Sequence, residues 1–376
     1  MSKWFCEILE RGEVSVRIRS ILSRPLSVPL REPFVIASAR IDVTRAALVK
    51  LELLDEQRGA VAFGYGEAAA LPPVTPEDQP DLLRSLARAA DALIDRTFER
   101  HDAIAPALDD LFDGAPVARA ALESAWLDAW ARHSGLPLCT LLSGRPPRSL
   151  LTDITLPIAP AEEMVQRAAA YRARDFRLFK IKVGRRLEDD VQALQRVHAR
   201  VPDARFRLDA NGGFSANDAL ALLSRAASDG LAIECFEQPC PREDLAGMAR
   251  VKREGGVPVI ADESVRDIED LSRVLAAHAA DGINLKLAKS GGLLAALALG
   301  ERARAEGLQV MCGGMVETRL GMSAMAHVAC ALVDVEYIDL DTAFLLAEEH
   351  FSGGYRERGP ILELTGCPGL DVEPRL

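Results

Sequence analysis

The chain has 376 residues, of which 49% are hydrophobic, and carries a formal net charge of −11. This length and apolarity allow a large buried core, which excludes a disordered protein and favours a barrel with a smaller second domain. The net charge is acidic and the sequence has no stripe of basic residues, which excludes a nucleic-acid groove. It also has no run of about 18 uncharged apolar residues, so we expect no membrane span.

The start of the chain and its cysteines predict a cytoplasmic protein. The first residues, MSKWFCEILERGEV, interrupt their apolar positions with charges, so we expect no signal peptide. The seven cysteines are scattered, odd in number and without C-x-x-C spacing. They predict reduced structural thiols rather than disulfides or a zinc site.

The first third of the chain predicts an α+β unit. Residues 14–70 contain β-like runs separated by turns, VSVRIRSILSRPLSVPL, TRAALVKLELL and AVAFGYGEA, which indicate an antiparallel meander. Residues 76–134 then show apolar positions at three and four spacing, with a Gly where the second pattern stops. This pattern predicts two helices.

After RPPRSL, short apolar or β-branched runs alternate with amphipathic segments. The runs are TDITLPI, FRLFKIKVG, ARFRLDANG, AIECFEQP, VPVIADES, DGINLKLAKSGG, LQVMCGG and VEYIDLD. Eight such runs separated by helix-length segments predict a (β/α) barrel. Residues from about 346 onward lack this periodicity, and we expect them to return and pack on the first unit.

Charged residues recur at the carboxyl ends of the predicted barrel strands, where a barrel builds its active site. Asp209, Glu237 and Asp262 follow successive strands about one βα unit apart, so they converge on one mouth. Each alone has an ordinary interpretation, as a turn residue, a rim ion pair or a helix cap respectively. Together they would repel without a cation, and oxygen ligands suit Mg²⁺ better than zinc, which predicts one divalent metal.

Lysines stand on the strands to either side of these acids. Lys182 and Lys286 give one base for each face of a substrate carbon, as proton removal and return on opposite faces require. One of them must be neutral near pH 7. Lys180 lies two positions from Lys182 on the same strand face, and we expect Lys180, the metal and partial burial to lower the pKa of Lys182. The alternative is a pair of rim lysines that reach solvent, and Lys289 is expected to be solvated.

In order and spacing, FKIKVG, LDANGG, FEQP, ADES and INLKLAKSGG resemble the enolase superfamily, muconate lactonizing enzyme subgroup. Within it, IDLDT resembles the dipeptide epimerases of the L-Ala-D/L-Glu type. The resemblance implies a (β/α)₇β TIM-like barrel over residues 141–345, an α+β capping domain over 1–140, and a C-terminal segment, 346–376, that returns to the cap. It implies catalytic Lys182 and Lys286, and ligands Asp209, Glu237 and Asp262 for one Mg²⁺ per active site.

The resemblance also implies residues that bind the substrate. Asp339 and Asp341 would hold the free α-ammonium group of a dipeptide, since alternate strand positions share one face; the alternative is that Asp341 caps a following helix, TAFLLAEEH. Matching positions place further residues around the substrate: Thr155, Lys180, Gly314, Met315 and Val316.

The implied reaction inverts the Cα of the C-terminal residue of a dipeptide by two-base proton transfer through an enediolate stabilised by the metal and Lys180. Arg40, in the loop REPFVIASARID, is a candidate partner for a glutamate side chain, or else an ordinary loop charge. N-acylamino acid racemase, o-succinylbenzoate synthase and muconate cycloisomerase use the same scaffold and stay open, as does a non-catalytic binding protein. The expected partner is a small dipeptide, neither nucleic acid nor membrane, and a symmetric homo-oligomer is left open.

Overall fold

The first unit of the computed structural model, which describes residues 15–375, is built on an antiparallel sheet. The strand order is β5 (Ala60–Ala70), β4 (Arg45–Asp55), β1 (Val16–Leu26) and β6 (Thr97–Phe98). The predicted meander is confirmed, but its first run is two strands. Beyond Leu26 the chain leaves the sheet, and β2 (Pro29–Val35) pairs with β3 (Arg40–Val43) as a separate hairpin.

Both predicted helices of this unit are present. They are α1 (Gln79–Leu93) and α3 (Pro116–Ser134), with short helices α2 (Ala105–Leu111) and α4 (Leu138–Ser143) before and after α3. Helix α3 lies so close to β5 that a Cβ at Gly66 would stand 1.9 Å from the carbonyl oxygen of Ala121. The contact therefore requires glycine on the strand. Helix α3 ends at Gly135, whose φ of 71° no β-branched residue adopts without strain.

The second unit is a parallel eight-stranded sheet in which every neighbour in sequence is a neighbour in space. All eight predicted strands are confirmed: β8 (Ile154–Leu156), β9 (Leu178–Lys182), β10 (Arg205–Asp209), β11 (Ile233–Glu237), β12 (Val259–Ala261), β13 (Gly282–Leu285), β14 (Gln309–Cys312) and β15 (Tyr337–Ile338). A hydrogen bond of 3.3 Å from Asp153 N to Ile338 O joins the two edges and closes the barrel.

Helices connect successive barrel strands, as in other (β/α) barrels. They are α5 (Ala161–Arg172), α6 (Leu187–Arg200), α7 (Ala216–Ser228), α8 (Leu245–Glu254), α9 (Ile268–Ala276), α10 (Leu287–Ser290), α11 (Leu293–Ala305) and α12 (Arg319–Ala331). A single 3₁₀ turn, Thr342–Leu345, follows β15 in place of the longer helix TAFLLAEEH. None of the helices in the described residues combines the length and apolarity needed to cross a membrane.

The C-terminal residues form short antiparallel strands. They are β16 (Phe351–Gly353), β17 (Tyr355–Arg358), β18 (Ile361–Leu364) and β19 (Val372–Pro374), and β18 also pairs with β7 (Ser149–Leu151). Leu370 N donates to Asp128 Oδ1 of α3 at 2.7 Å, and Arg132 of the same helix donates to Val372 O at 2.8 Å. The C-terminal segment thus contacts the first unit. The domain bounds 1–140, 141–345 and 346–376 stay a prediction.

The cysteine thiols in the described part of the chain are free. Cys139, Cys235, Cys240, Cys312 and Cys330 are buried, and Cys367 is exposed. Cys6 lies outside the described residues.

Candidate active site

The carboxyl ends of the barrel strands bring the predicted charged residues together. Strand β9 ends in Lys180 and Lys182, β10 in Asp209 and β11 in Glu237, while Asp262 and Lys286 directly follow β12 and β13. None of these six side chains belongs to a residue more than 5% exposed. Six charged groups in a buried space must contact one another, because each would otherwise lose its hydration without replacement.

Lys180 is the cation at the centre of the group. Its Nζ lies 2.9 Å from Asp209 Oδ2, 2.6 Å from Glu237 Oε2 and 2.7 Å from Asp339 Oδ2. Burial alone lowers the pKa of Lys180, but the three carboxylates raise that pKa well above its ordinary value. Lys180 is therefore a fixed positive charge at the floor of the site.

Lys182 and Lys286 stand on either side of the carboxylates. Lys182 Nζ donates to Asp209 Oδ2 at 2.6 Å and to Asn211 Oδ1 at 3.1 Å, and Lys286 Nζ donates to Asp262 Oδ2 at 2.7 Å. The repulsion expected between Lys180 and Lys182 is offset by Asp209, whose Oδ2 forms an ion pair with both lysines. Burial lowers the pKa of Lys286, but Asp262 and Glu237 raise it above its ordinary value in this arrangement.

Asp209, Glu237 and Asp262 offer only oxygen donors, as a hard cation such as Mg²⁺ prefers. Oε2 of Glu237 is buried and accepts no hydrogen bond, because its contact with Lys180 is an ion pair without hydrogen-bond geometry. Burial and the nearby charge of Asp209 raise the pKa of Glu237 to about 8. An oxygen-only donor set in which neighbouring carboxylates raise the pKa of Glu237 fits a cation among these three residues.

Lys289 is the one lysine whose predicted environment is wrong. It is 8% exposed rather than solvated, because the short helix α10 turns it inward beneath Asp262. Its Nζ donates to the carbonyl oxygens of Asp262, Asn284 and Val265 at 2.6, 2.9 and 3.1 Å. Burial lowers the pKa of Lys289, and the contacts with Asp262 oppose that effect. Lys289 therefore stabilises the loop that carries Asp262, through hydrogen bonds to its backbone.

Asp339 and Asp341 lie beside the three lysines and three carboxylates described above. They follow β15, where the last barrel strand meets the first, β8. Asp341 occupies the residue before the 3₁₀ turn, but its side chain makes no capping hydrogen bond to that turn. Instead its Oδ2 accepts from the backbone N of Thr155. The helix-cap interpretation is therefore wrong. Burial and the neighbouring Asp339 raise the pKa of Asp341 to about 7.

A small cavity of about 30 Å³ is lined by the three lysines of the site and by Asp339 and Asp341. This is room for about two water molecules. Nine of the predicted site residues line it: Thr155, Lys180, Lys182, Lys286, Gly314, Met315, Val316, Asp339 and Asp341. Asp209, Glu237 and Asp262 lie behind the lysines. The apolar part of the wall comes largely from the first unit, through Phe34, Ile36, Leu71 and Val74.

Arg40 does not reach this cavity. It is exposed on the β2–β3 hairpin, where its guanidinium bonds to Asp42 at 3.0 and 3.2 Å. The residues that do face the cavity from this hairpin are Phe34 and Ile36. The structure therefore gives no support to a role for Arg40 in holding a glutamate side chain.

A second cavity, of about 240 Å³, adjoins the first at Phe34 and Thr155. Its walls include Leu30, Pro33, Tyr171 and Leu345, with Ala170 of α5 facing into it. Leu345 belongs to the turn that follows Asp341, so this cavity lies on the Asp341 side of the site.

Sequence reasoning missed several polar residues of the site. Asn211 Nδ2 donates to Glu263 Oε1 at 3.1 Å and so links Lys182 to a further, half-buried carboxylate. Asn284 Nδ2 donates to Glu237 Oε1 at 2.8 Å. Burial and Asp262 raise the pKa of Glu263 to about 7. The signal was available, because each of these residues sits within two positions of a residue already singled out.

Comparison with known families agrees with this geometry. Residues 163–375 match the model described as enolase C-terminal domain-like, and residues 19–143 match the N-terminal domain of mandelate racemase and muconate lactonizing enzyme. This chain belongs to the enolase superfamily. The resemblance and the fold class predicted from the sequence are thereby confirmed.

Individual members of the superfamily are similar over nearly the whole chain. An L-Ala-D/L-amino acid epimerase of Populus trichocarpa is 38% identical, with 97% of this chain and 86% of that protein covered. An aromatic dipeptide epimerase of Herpetosiphon aurantiacus is 35% identical over 94% of this chain and 98% of that protein. Because the relatives are epimerases, the chain is an isomerase of the racemase and epimerase group.

Solved structures extend the likeness to complexes. A substrate-liganded L-Ala-D/L-Glu epimerase of Bacillus subtilis superposes with a TM-score of 0.88 at 33% identity, covering 95% of this chain and 98% of that one. A dipeptide epimerase of Enterococcus faecalis, complexed with Mg and L-Leu-L-Tyr, gives a TM-score of 0.86 at 31% identity, covering 95% and 99%.

Proposed function

We propose that this enolase-superfamily member is a Mg²⁺-dependent dipeptide epimerase that inverts the Cα of the C-terminal residue. The observation that carries the proposal is a buried two-lysine centre with Asp339 and Asp341 across the same cavity. A free ammonium group is the natural partner of two buried carboxylates. N-acylated amino acids, succinylbenzoate precursors and muconates have no such group, so this feature favours a dipeptide over those alternatives.

Asp209, Glu237 and Asp262 would hold the metal. Bound Mg²⁺ would supply positive charge beside the substrate carboxylate, where negative charge grows when the adjacent Cα loses its proton. Lys180, held protonated by its three carboxylate neighbours, supplies a second positive charge at the same place.

Lys182 and Lys286 are the proposed bases. They approach from β9 and from the end of β13, on opposite sides of the carboxylates that would hold the metal. One takes the Cα proton, and the other, protonated, delivers a proton to the opposite face, which inverts the centre. Asn211 orients Lys182 through the 3.1 Å hydrogen bond, and Asp262 orients Lys286.

The walls of the two cavities indicate which side chains fit. Phe34, Ile36, Leu71 and Val74 face the reacting centre, which favours an apolar C-terminal residue over glutamate. The second cavity, on the side of Asp341, is large enough for a bulky N-terminal side chain. The dipeptides favoured by this structure therefore carry an apolar C-terminal residue. Charged residues also line the second cavity, namely Arg31, Glu32, Arg167 and Arg174, so it does not restrict the N-terminal residue to apolar side chains.

Deuterium entry at Cα tests the proposal. The protein, freed of metal with a chelator and reloaded with Mg²⁺, is incubated in D₂O with L-alanyl-L-phenylalanine, L-alanyl-L-leucine and L-alanyl-L-glutamate, and the C-terminal residue is analysed by mass spectrometry and chiral chromatography. We expect epimerisation with exchange, fastest for the apolar residues and abolished by Lys182→Ala and by Lys286→Ala. Turnover of N-acyl amino acids without turnover of any dipeptide would refute the assignment.

A further inference from the structure

We propose that Asp153 is a third carboxylate of the site for the substrate ammonium group, so that the site offers three acceptors to the three N–H donors of a primary amine. The inference rests on the proposed dipeptide epimerase function and adds to it a residue that selects free over blocked amino termini. Asp153 precedes β8 and is fully buried at the seam of the barrel.

The position of Asp153 brings its carboxylate into the group. One oxygen each of Asp153, Asp339 and Asp341 lie within 4.8 Å of one another. The main-chain bond from Asp153 N to Ile338 O fixes the residue next to β15, which leads into both other aspartates. Asp339 and Asp341 line the cavity, and Asp153 stands next to them without itself forming part of the cavity wall.

Two oxygens in this group have no hydrogen-bond donor. Oδ1 of Asp153 and Oδ1 of Asp341 are buried and accept no hydrogen bond. Three of the other oxygens are engaged, since Asp153 Oδ2 accepts from Arg207 at 2.8 Å, Asp341 Oδ2 accepts from Thr155 N, and Asp339 Oδ2 accepts from Lys180. The sixth, Oδ1 of Asp339, belongs to a residue that lines the cavity. Buried carboxylate oxygens rarely lack a donor in a folded protein, so the two free oxygens point to a ligand that brings N–H groups.

The charge of the group fits one monovalent cation. Arg207 pairs with Asp153 and Glu234, and Lys180 pairs with Asp339, Asp209 and Glu237, so the three acids keep at least one uncompensated negative charge when all are ionised. Burial and Asp339 raise the pKa of Asp153, and a bound cation would favour its ionised form. A primary ammonium carries one positive charge and three donors. An amide nitrogen, as in an N-acyl amino acid, carries one donor and no charge, and would leave acceptors unpaired.

Arg207 holds Asp153 in place from behind. Besides Asp153, its guanidinium donates to Ile338 O at 2.8 Å and to Glu234 at 3.1 Å. Asp153 can therefore keep its orientation when it is changed to Asn, because the Asn side chain still offers an oxygen to Arg207.

The test compares two ligands of the same shape. One is L-alanyl-L-phenylalanine, and the other is propionyl-L-phenylalanine, in which hydrogen replaces the ammonium group. The ratio of kcat/KM for the dipeptide to that for the propionyl compound is measured in the wild type and in Asp153→Asn, with the inhibition constant of the propionyl compound used where it is not turned over. We expect the variant to lose preference for the dipeptide by about tenfold or more, mainly through KM.

A merely structural role for Asp153 would weaken both ligands equally and leave the ratio unchanged, which would overturn the proposal. Asp189→Asn, at an exposed aspartate paired with Arg186, is the matched control and should leave the ratio unchanged. If no dipeptide exchanges its Cα proton in the wild type, the proposed function fails instead. The two failures are thus distinguishable.

A second readout needs no variant of Asp153. N-methyl-L-alanyl-L-phenylalanine keeps the charge but has two donors, so a three-acceptor site should accept it about tenfold less well than the parent dipeptide. Equal kcat/KM for both would overturn the proposal. So would a second Mg²⁺ ion per chain, found by titration calorimetry, that Asp153→Asn removes.

Discussion

Replacing Lys289 by Met would remove the ammonium group beneath Asp262 while keeping a long side chain. The carbonyl oxygens of Asp262, Val265 and Asn284 would lose a donor, and Asp262 would lose a charge partner. Buried acceptors left without a donor cost about 1–3 kcal/mol each. Relief from burying the ammonium offsets part of this cost, so we expect the free energy of unfolding to fall by about 3 kcal/mol.

Urea unfolding followed by circular dichroism measures the change. The matched control is Lys252→Met, because Lys252 donates to a single carbonyl, Ala280 O, at 2.7 Å from a side chain that is 29% exposed. We expect that variant to lose less than about 1 kcal/mol. Losses of similar size in the two variants would refute the reasoning that Lys289 braces the loop. Weaker Mg²⁺ binding by Lys289→Met than by Lys252→Met is expected as well, since Asp262 would lose its support.

Three further results are expected. For dipeptides, kcat/KM should rise with pH through about 7, because Asp341 must lose its proton to hold an ammonium group. It should fall above about 8, because the substrate amine then loses its proton. A kcat/KM that does not change below pH 7 would contradict the pairing of Asp341 with the substrate ammonium group. Gly66→Ala should lower the free energy of unfolding by about 1–3 kcal/mol or more in urea titrations, since its Cβ meets the Ala121 carbonyl, and an unchanged midpoint would contradict that packing. Ala170→Trp should raise KM for L-phenylalanyl-L-leucine more than for L-alanyl-L-leucine, and equal effects would place the N-terminal side chain elsewhere.

Periodicity and residue type were enough to predict the barrel and the position of its site. A charged residue at the end of an apolar strand is costly unless it has a function, and the strand ends at Asp209, Glu237 and Asp262 recur at a regular interval. Parallel strands in a barrel must bring such ends to one rim. The two long helices of the first unit were predictable as well, from the spacing of their apolar residues and from Gly135 at the end of the second.

The expectations that the structure corrects concern residues whose side-chain direction cannot be deduced from their spacing in the sequence. Lys289 was expected in solvent because it lies beyond a strand end, but a single helical turn from Leu287 to Ser290 rotates it into the interior. Residue preference allows Asp341 to cap a following helix, but its carboxylate instead accepts a hydrogen bond from the distant backbone N of Thr155. Asp153 was overlooked because its partners, Arg207 and Ile338, are distant in sequence.

The isotope content of the first product formed in D₂O tests the two-base account most directly. Wild-type protein with Mg²⁺ and L-alanyl-L-phenylalanine is stopped at a few per cent conversion, and the two epimers are separated and analysed by mass spectrometry. If Lys182 and Lys286 act on opposite faces, the lysine that donates the proton has already exchanged with solvent, and the product epimer should carry deuterium at Cα in every molecule. A product epimer that retains the original protium would show that one base removes and returns the same proton, and would contradict the account.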